Sequence, residues 1–197
     1  DAAVEFLFPY EHPAPLVARR AREAGVEIVL FNLPPGDFAA GERGLAAVPG
    51  REAEFRRSVG QALEYADTLG AARLHAMAGL ERQGAADGVF RDNLAWAAAE
   101  LARHGRTLLI EAINPRDMPG YFLASHGHAL ATLGAVGASN LALQCDLYHL
   151  QILAGDLIRT LERDIALIGH IQIAGVPDRH EPDQGEVAYP AIFATLE

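Results

Sequence analysis

Short apolar runs alternate with helix-like segments along the whole sequence, and this alternation limits the possible folds more than any other feature. Six runs have the length and the β-branched or aromatic content of buried strands: residues 4–10, 26–33, 72–79, 106–113, 141–148 and 169–175. Between them, apolar residues recur about every 3.6 positions, as in amphipathic helices, over residues 13–25, 51–70, 87–105 and 157–169. Strict alternation of this kind predicts parallel strands covered by helices.

Two folds have this alternation, the open doubly wound sheet and the closed (β/α)8 barrel. A dinucleotide-binding open sheet carries a glycine-rich turn after its first strand, whereas residues 8–12 read Phe-Pro-Tyr-Glu-His. Polar residues stand at the carboxyl ends of five strand runs, at Asn32, His75, Glu111, Asp146 and Gln172. A closed barrel brings such strand ends to one mouth, while an open sheet spreads them along a line. The sequence therefore predicts an α/β fold of the (β/α)8, or TIM-barrel, type.

The chain is shorter than a complete barrel of this type. Eight strands usually take about 250 residues, whereas these 197 residues contain six strand runs. The sequence starts at Asp1, directly before a strand run, and stops at Glu197 within a helix-like segment. We expect residues 1–197 to form a single, incomplete barrel domain with six of the eight βα units, and the first and last strands to lie outside this chain.

Composition narrows the class of partner. Half of the residues are hydrophobic and 21% are charged, as in ordinary globular proteins. The net charge of −10 argues against nucleic acid, because phosphates require clustered lysines and arginines, and no apolar run approaches the length of a membrane span. The single cysteine, Cys145, excludes an internal disulfide, and strand alternation places it on the helix side as a buried thiol. We therefore expect a cytoplasmic protein with a small-molecule substrate, and neither nucleic acid nor a membrane as its partner.

Oxygen-bearing side chains at three strand ends form the principal candidate site. Alternation places Glu111, Asp146 and Gln172 on the inner faces of their strands, near the barrel mouth. Buried carboxylates need a counter-charge, and no lysine or arginine stands at these strand ends. A divalent cation supplies one, and carboxylate and amide oxygens suit Mg²⁺ or Mn²⁺ better than zinc. The alternative interpretation is a hydrogen-bonded polar layer without a metal, and the residues themselves leave both open.

Other ionisable residues are weaker candidates. His149 follows Asp146 by three residues and either contacts a substrate oxygen or caps the strand exit. His75 either lines the barrel interior at the substrate site or is a packed polar residue. Glu5 is expected to be structural, and His126 and His128, near a helix start, are expected to be solvated.

An arginine lies in the acidic loop that follows the strand of Gln172. Residues 177–182 read Pro-Asp-Arg-His-Glu-Pro. Arg179 either forms a surface ion pair with Asp178 or Glu181, or grips a substrate carboxylate with its planar guanidinium. Spacing alone does not separate these two interpretations.

Several specific segments carry a family resemblance that runs along nearly the whole chain. They are residues 4–10, 31–37, 41–45, 109–117, 145–149, 170–174, 179–182 and 185–186; residues 109–117, for example, read Leu-Ile-Glu-Ala-Ile-Asn-Pro-Arg-Asp. With these motifs the sequence resembles the hydroxypyruvate isomerase family of xylose-isomerase-like barrels. The resemblance implies a metal-dependent isomerase that interconverts hydroxypyruvate and tartronate semialdehyde, often as a homo-oligomer.

The resemblance also implies roles for individual residues. In the family a Glu, an Asp, a Gln and a second Glu hold the metal, and the first three correspond to Glu111, Asp146 and Gln172. The second glutamate belongs to the last barrel strand, which we expect beyond the end of this chain. By analogy Glu111 is one member of a catalytic carboxylate pair. Arg179 then orients the substrate carboxylate, with His149 and His75 near the substrate.

Related functions on the same fold remain alternatives at this point. They are a 2-oxo-tetronate isomerase, a ketose 3-epimerase and a non-catalytic barrel that binds a small acid. The loops at residues 32–43 and 179–186 are expected to select substrate size. No physical rule derives the number of substrate carbons from their sequences.

Overall fold

The structure is a computed structural model that describes residues 2–197. Six strands are present in this range: β1 Ala3–Phe6, β2 Glu27–Asn32, β3 Arg73–His75, β4 Thr107–Glu111, β5 Leu141–Asp146 and β6 Ile168–Gln172. The helices are α1 Ala14–Ala24, α2 Glu52–Leu69, α3 Asp87–Arg103, α4 His126–Val136, α5 Leu147–Leu153, α6 Leu157–Asp164 and α7 Tyr189–Leu196. None of the helices in residues 2–197 is long and apolar enough to cross a membrane.

All six strands belong to one parallel sheet in the order β1-β2-β3-β4-β5-β6. In a flat sheet the outer strands would lie roughly 24 Å apart, five strand spacings of about 4.8 Å. Here Glu5 of β1 instead forms hydrogen bonds with His170 and Gln172 of β6. The sheet is therefore strongly curled, and the predicted (β/α)8 barrel class is confirmed in the form of a six-stranded partial barrel. The expectation of further strands outside the chain stays a prediction.

Strand alternation divides inner from outer residues as expected. On β4, Leu108 and Ile110 pack with the helices in the main hydrophobic core and are fully buried. Glu111, one position beyond Ile110, projects into the cavity at the mouth. Cys145 belongs to the same helix-side core, which confirms its predicted burial.

The strand runs predicted from sequence are longer than the observed strands. The run at 141–148 ends at Asp146, because the Asp146 Oδ1 accepts a hydrogen bond from the Tyr148 backbone N–H at 2.9 Å and thereby caps α5. The prediction that this strand run extends to residue 148 is wrong, because Leu147 and Tyr148 belong to α5. The predicted helix at 157–169 is also too long. It ends at Asp164, and the chain then passes through a 3₁₀ turn, Ile165–Leu167, before β6.

The loop between β2 and α2, residues 33–51, is held against the end of β3. The N–H groups of Ala46 and Ala47 donate to the carbonyls of Met77 and Ala78 at 3.3 and 2.7 Å. Gly44 has a φ of 116°, and a Cβ there would lie 2.2 Å from the Met77 carbonyl oxygen, so only glycine permits this approach. The contact places this loop beside the barrel mouth.

Candidate active site

A cavity of about 420 Å³ opens at the carboxyl ends of the strands. Its polar walls come from all six strands and from the loop after β6; they include Glu5, Asn32, His75, Glu111, Gln144, Gln172 and Arg179. Aromatic and aliphatic side chains, among them Phe8, Phe38 and Met77, form its outer rim. The mouth of a (β/α)8 barrel is where active sites of this fold lie. Four of the five strand-end residues singled out by sequence line this cavity, and the fifth, Asp146, lies beside Glu111.

Glu111 and Asp146 form the centre of the site. The two residues lie on neighbouring strands and are 5% and 4% exposed. One ligand atom from each, together with a ring nitrogen of His149, lies within 4.8 Å of the others. Burial raises the pKa of Glu111 well above its ordinary value, and the nearby charge of Asp146 raises it further. Two carboxyl groups held this way attract a cation or retain a proton.

Arg179 supplies the positive charge that the strand ends lack. Its Nη2 donates to Asp146 Oδ2 at 2.8 Å, and its guanidinium lies over the Tyr148 ring, 4.9 Å from the centroid. The residue adopts a left-handed backbone with a φ of 58°. The predicted alternative of an ion pair with Asp178 or Glu181 is wrong, because the loop turns Arg179 inward to Asp146.

Gln144 connects the inner ends of three strands. Its Nε2 donates to Glu111 Oε2 and to Gln172 Oε1, both at 2.9 Å. Gln172 in turn donates from its own Nε2 to Glu5. Burial raises the pKa of Glu5, but hydrogen bonds from His170 and Gln172 outweigh it and leave that pKa below its ordinary value. Glu5 therefore lines the cavity as an acceptor rather than only supporting the strand.

Two buried histidines lie on either side of the Glu111 carboxylate. The Nε2 atom of His75 is 3.9 Å from Glu111 Oε2, and that of His149 is 3.8 Å from Glu111 Oε1. Burial lowers the pKa of His75 to about 3 and also lowers that of His149, so both rings are neutral at physiological pH. The His75 Nδ1 lies 3.1 Å from the Asn32 Oδ1. Both rings therefore line the reaction space as neutral hydrogen-bonding groups.

The other two histidines considered above lie outside the site. His126 Nε2 lies 2.7 Å from Asp164, and its side chain is only 10% exposed, so the expectation that His126 is solvated is wrong. His128 Nε2 lies 2.7 Å from Asp87 and is partly exposed. Both rings join α4 to neighbouring helices.

The two buried carboxylates of the site suit a divalent cation. Among the described residues, ligand atoms of Glu111 and Asp146 lie within 4.8 Å of each other and of a ring nitrogen of His149. Two further buried atoms on cavity-lining side chains, His75 Nε2 and Gln144 Oε1, have no hydrogen-bond partner within residues 2–197. Buried acceptors without donors are costly unless something outside the protein satisfies them. Gln172, the third ligand expected from sequence, has its Oε1 engaged by Gln144, and its role as a ligand stays a prediction.

Sequence reasoning gave no role to two residues of the site, Gln144 and Asn114. Gln144 was recognisable, because it lies two positions before Asp146 on the same strand face. Asn114 follows β4 in a loop and contacts His149, as described below, and only its place in the Asn-Pro-Arg-Asp segment marks it.

A curled parallel α/β sheet with buried carboxylates at its mouth defines a (β/α)8-barrel enzyme. The chain belongs to the xylose isomerase-like TIM barrel family, whose sequence profile matches residues 2–197. It is 55% identical to the 2-oxo-tetronate isomerase of Cupriavidus necator, covering 99% of this chain and 76% of the relative. It is 40% identical to the hydroxypyruvate isomerase of Escherichia coli, covering 98% and 77%. These relatives identify the chain as an isomerase.

A solved structure supports the fold at high similarity. The crystal structure titled AP endonuclease, family 2, from Brucella melitensis has 48% sequence identity and a TM-score of 0.95. The match covers 99% of this chain and 77% of that one.

Proposed function

We propose that the protein is a metal-dependent isomerase that moves the carbonyl group between C2 and C3 of a short 2-oxo acid bearing a hydroxyl on C3. The observation that carries this proposal is the buried Glu111–Asp146 pair at the mouth of the cavity. The names of the relatives supply the substrate class, a three- or four-carbon oxo acid. Neither the metal nor the substrate follows from the fold by itself.

The reaction requires one proton to leave C3 and one to arrive at C2. Removal of the proton from C3 leaves an enediolate. Delivery of a proton to C2, together with transfer of the C3 hydroxyl proton to the C2 oxygen, completes the carbonyl transfer without net change in atoms. Glu111 is suited to carry the proton, because its carboxyl group faces the cavity and burial raises its pKa above the ordinary value. Glu111, Asp146 and Gln172 would hold a Mg²⁺ or Mn²⁺ ion, which would supply electrostatic stabilisation of negative charge on the substrate oxygens.

The remaining side chains bind and orient the substrate. Arg179, half exposed at the cavity wall, has a second guanidinium nitrogen, Nη1, which lies 4.0 Å from Asp117 and remains free to bind the substrate carboxylate. His75 and His149 face the space beside Glu111 and contact substrate oxygens as neutral groups. With the substrate carboxylate bound by Arg179, the C2–C3 bond would lie between Arg179 and Glu111.

Two substrates fit this chemistry and differ by one carbon. Sequence identity of 55% to a protein named 2-oxo-tetronate isomerase favours the four-carbon acid, and identity of 40% to a protein named hydroxypyruvate isomerase supports the three-carbon acid. We place 2-oxo-tetronate first and hydroxypyruvate, converted to tartronate semialdehyde, second.

Steady-state kinetics on both acids and on free ketoses tests the substrate class. We expect kcat/KM for 2-oxo-tetronate to exceed that for hydroxypyruvate by roughly tenfold or more, the range that one added carbon group provides. Free ketoses, which lack the carboxylate that Arg179 would bind, are expected to react far more slowly. Turnover of free ketoses alone would contradict the proposal.

Metal dependence is tested separately by chelation. Treatment with a strong chelator followed by desalting is expected to abolish turnover, and Mg²⁺ or Mn²⁺ is expected to restore it. Asp146→Asn should weaken binding of Mn²⁺ in calorimetry, because it removes a carboxylate from the donor set. Full activity of protein shown by elemental analysis to contain no divalent metal would disprove this part.

A further inference from the structure

We propose that Asn114 is a positioning residue that holds His149 in the tautomer with its proton on Nε2. In this tautomer His149 presents an N–H group to the cavity, and it donates a hydrogen bond to a substrate oxygen instead of binding the metal. The assignment of the tautomer stands on geometry alone, and its catalytic consequence rests on the proposed function.

The orientation of the Asn114 side chain is determined by a backbone donor. Asn114 is fully buried, and its Oδ1 accepts a hydrogen bond from the Asp117 backbone N–H at 3.0 Å. A backbone N–H only donates, so rotating the amide by 180° would set its NH₂ group against another donor. The Nδ2 must therefore point the other way, toward His149 and the Asp117 carboxylate, which lies 3.3 Å from it.

Two donors from Asn114 converge on one ring nitrogen. Its Nδ2 lies 2.6 Å from His149 Nδ1, and its backbone N–H approaches the same atom at 3.4 Å. A proton on Nδ1 would face both of these donors with no acceptor, inside a region closed to water. The Nδ1 atom therefore carries a lone pair, and the ring proton resides on Nε2.

The Nε2–H points to the centre of the site. This atom lies 3.8 Å from Glu111 Oε1 and 3.6 Å from Asp146 Oδ2, on the side of the ring opposite Asn114. These distances are longer than direct hydrogen bonds and leave the proton available to an oxygen placed between them. His149 therefore supplies a donor where negative charge develops during proton transfer.

The same geometry separates His149 from a metal ligand. A histidine that binds a metal through Nε2 normally donates its Nδ1–H to a carboxylate or carbonyl. Here Nδ1 faces two donors from Asn114. If Nε2 bound a metal, the ring proton would move to Nδ1, and this buried N–H would face the Asn114 donors without an acceptor, which is costly. His149 is therefore a poorer metal ligand than its short distances to Glu111 and Asp146 would indicate.

Nitrogen-detected histidine NMR tests the tautomer without reference to activity. In protein labelled with ¹⁵N-histidine, with the His149 signals assigned by their loss in His149→Gln, two-bond ¹H–¹⁵N spectra should show an unprotonated Nδ1 and a protonated Nε2. The spectrum of the unaltered protein decides the point even if a variant fails to fold. A protonated Nδ1, or an averaged mixture of both tautomers, would overturn the proposal.

Asn114→Asp tests the positioning role, because it replaces the donating NH₂ with an accepting oxygen of nearly the same shape. We expect the His149 proton to move to Nδ1 and kcat to fall about 10²-fold, the usual loss when one donor to a developing oxyanion is removed. The matched control is Asn93→Asp, at a buried amide on α3 whose Nδ2 donates to the Ala46 carbonyl. Asn93→Asp should leave the tautomer of His149 unchanged.

The outcomes distinguish this inference from the proposed function. An unaltered tautomer or an unaltered kcat in Asn114→Asp would refute the positioning role while leaving the isomerase proposal intact. Conversely, a protonated Nε2 in a protein that turns over neither oxo acid would refute the proposed function and retain the tautomer assignment.

Discussion

Glu111→Gln is expected to reduce turnover by roughly 10²- to 10⁴-fold, the usual contribution of a general acid–base group, while it raises the melting temperature of the metal-free protein. Glutamine keeps the shape and the acceptor for Gln144 but cannot carry the proton. It also removes a buried negative charge next to that of Asp146. The charge of Asp146 is the second cause of the raised pKa of Glu111, after burial itself. Function and stability thus oppose each other at this position.

The stabilising effect of Glu111→Gln depends on pH. Since the pKa of Glu111 lies above its ordinary value of 4.5 in the folded protein, ionisation destabilises the fold as pH rises from 4.5 through the folded-state pKa. The gain in melting temperature should be absent near pH 4 and present at pH 8. Scanning calorimetry on chelated protein measures it, with Glu100→Gln on α3 as the control at a partly exposed ion pair. Unchanged turnover in Glu111→Gln would eliminate Glu111 as the proton carrier.

Ile110→Ala is expected to lower the free energy of unfolding by about 2–5 kcal/mol, as for other large-to-small changes in cores. Ile110 is fully buried on the helix side of β4, one residue before Glu111, so a cavity there removes packing from the strand that carries the carboxylate. Urea denaturation monitored by circular dichroism measures the loss. We expect turnover to fall as well, since β4 positions Glu111.

The matched control for this change is Ile158→Ala on α6. Ile158 is 37% exposed, and alanine favours a helix more than isoleucine does, so the expected change is within about 0.5 kcal/mol. Equal effects of the two substitutions would show that the helix-side layer of β4 does not stabilise the fold as described.

The repeating elements were predictable because they depend on local sequence. Apolar runs of strand length and helices with one apolar face recur in order, and the barrel class follows from that order together with the polar strand ends. The meeting of Glu111, Asp146 and Gln172 was predictable for the same reason, since parallel strands in register bring their carboxyl ends to one edge. The boundary of β5 was predicted less well, because capping of α5 by Asp146 ends the strand two residues early.

Contacts between distant loops could not be predicted in this way. The turn after β6 rotates Arg179 onto Asp146, 33 residues away, instead of toward its acidic sequence neighbours. His126 is likewise withdrawn from solvent by Asp164, 38 residues away on α6. Short-range charge patterns do not encode such pairings, which depend on how completed βα units pack.

The alternating βα architecture, the strand ends that carry the oxygen ligands and the family of the chain follow from the sequence, because each depends on periodic or contiguous residues. The partners that those groups meet depend on the tertiary structure. It paired Arg179 with Asp146, joined Glu111 to Gln172 through Gln144, and placed Asn114 against His149. These contacts set charge, proton position and tautomer, and they form only when separate strands and loops converge at the barrel mouth.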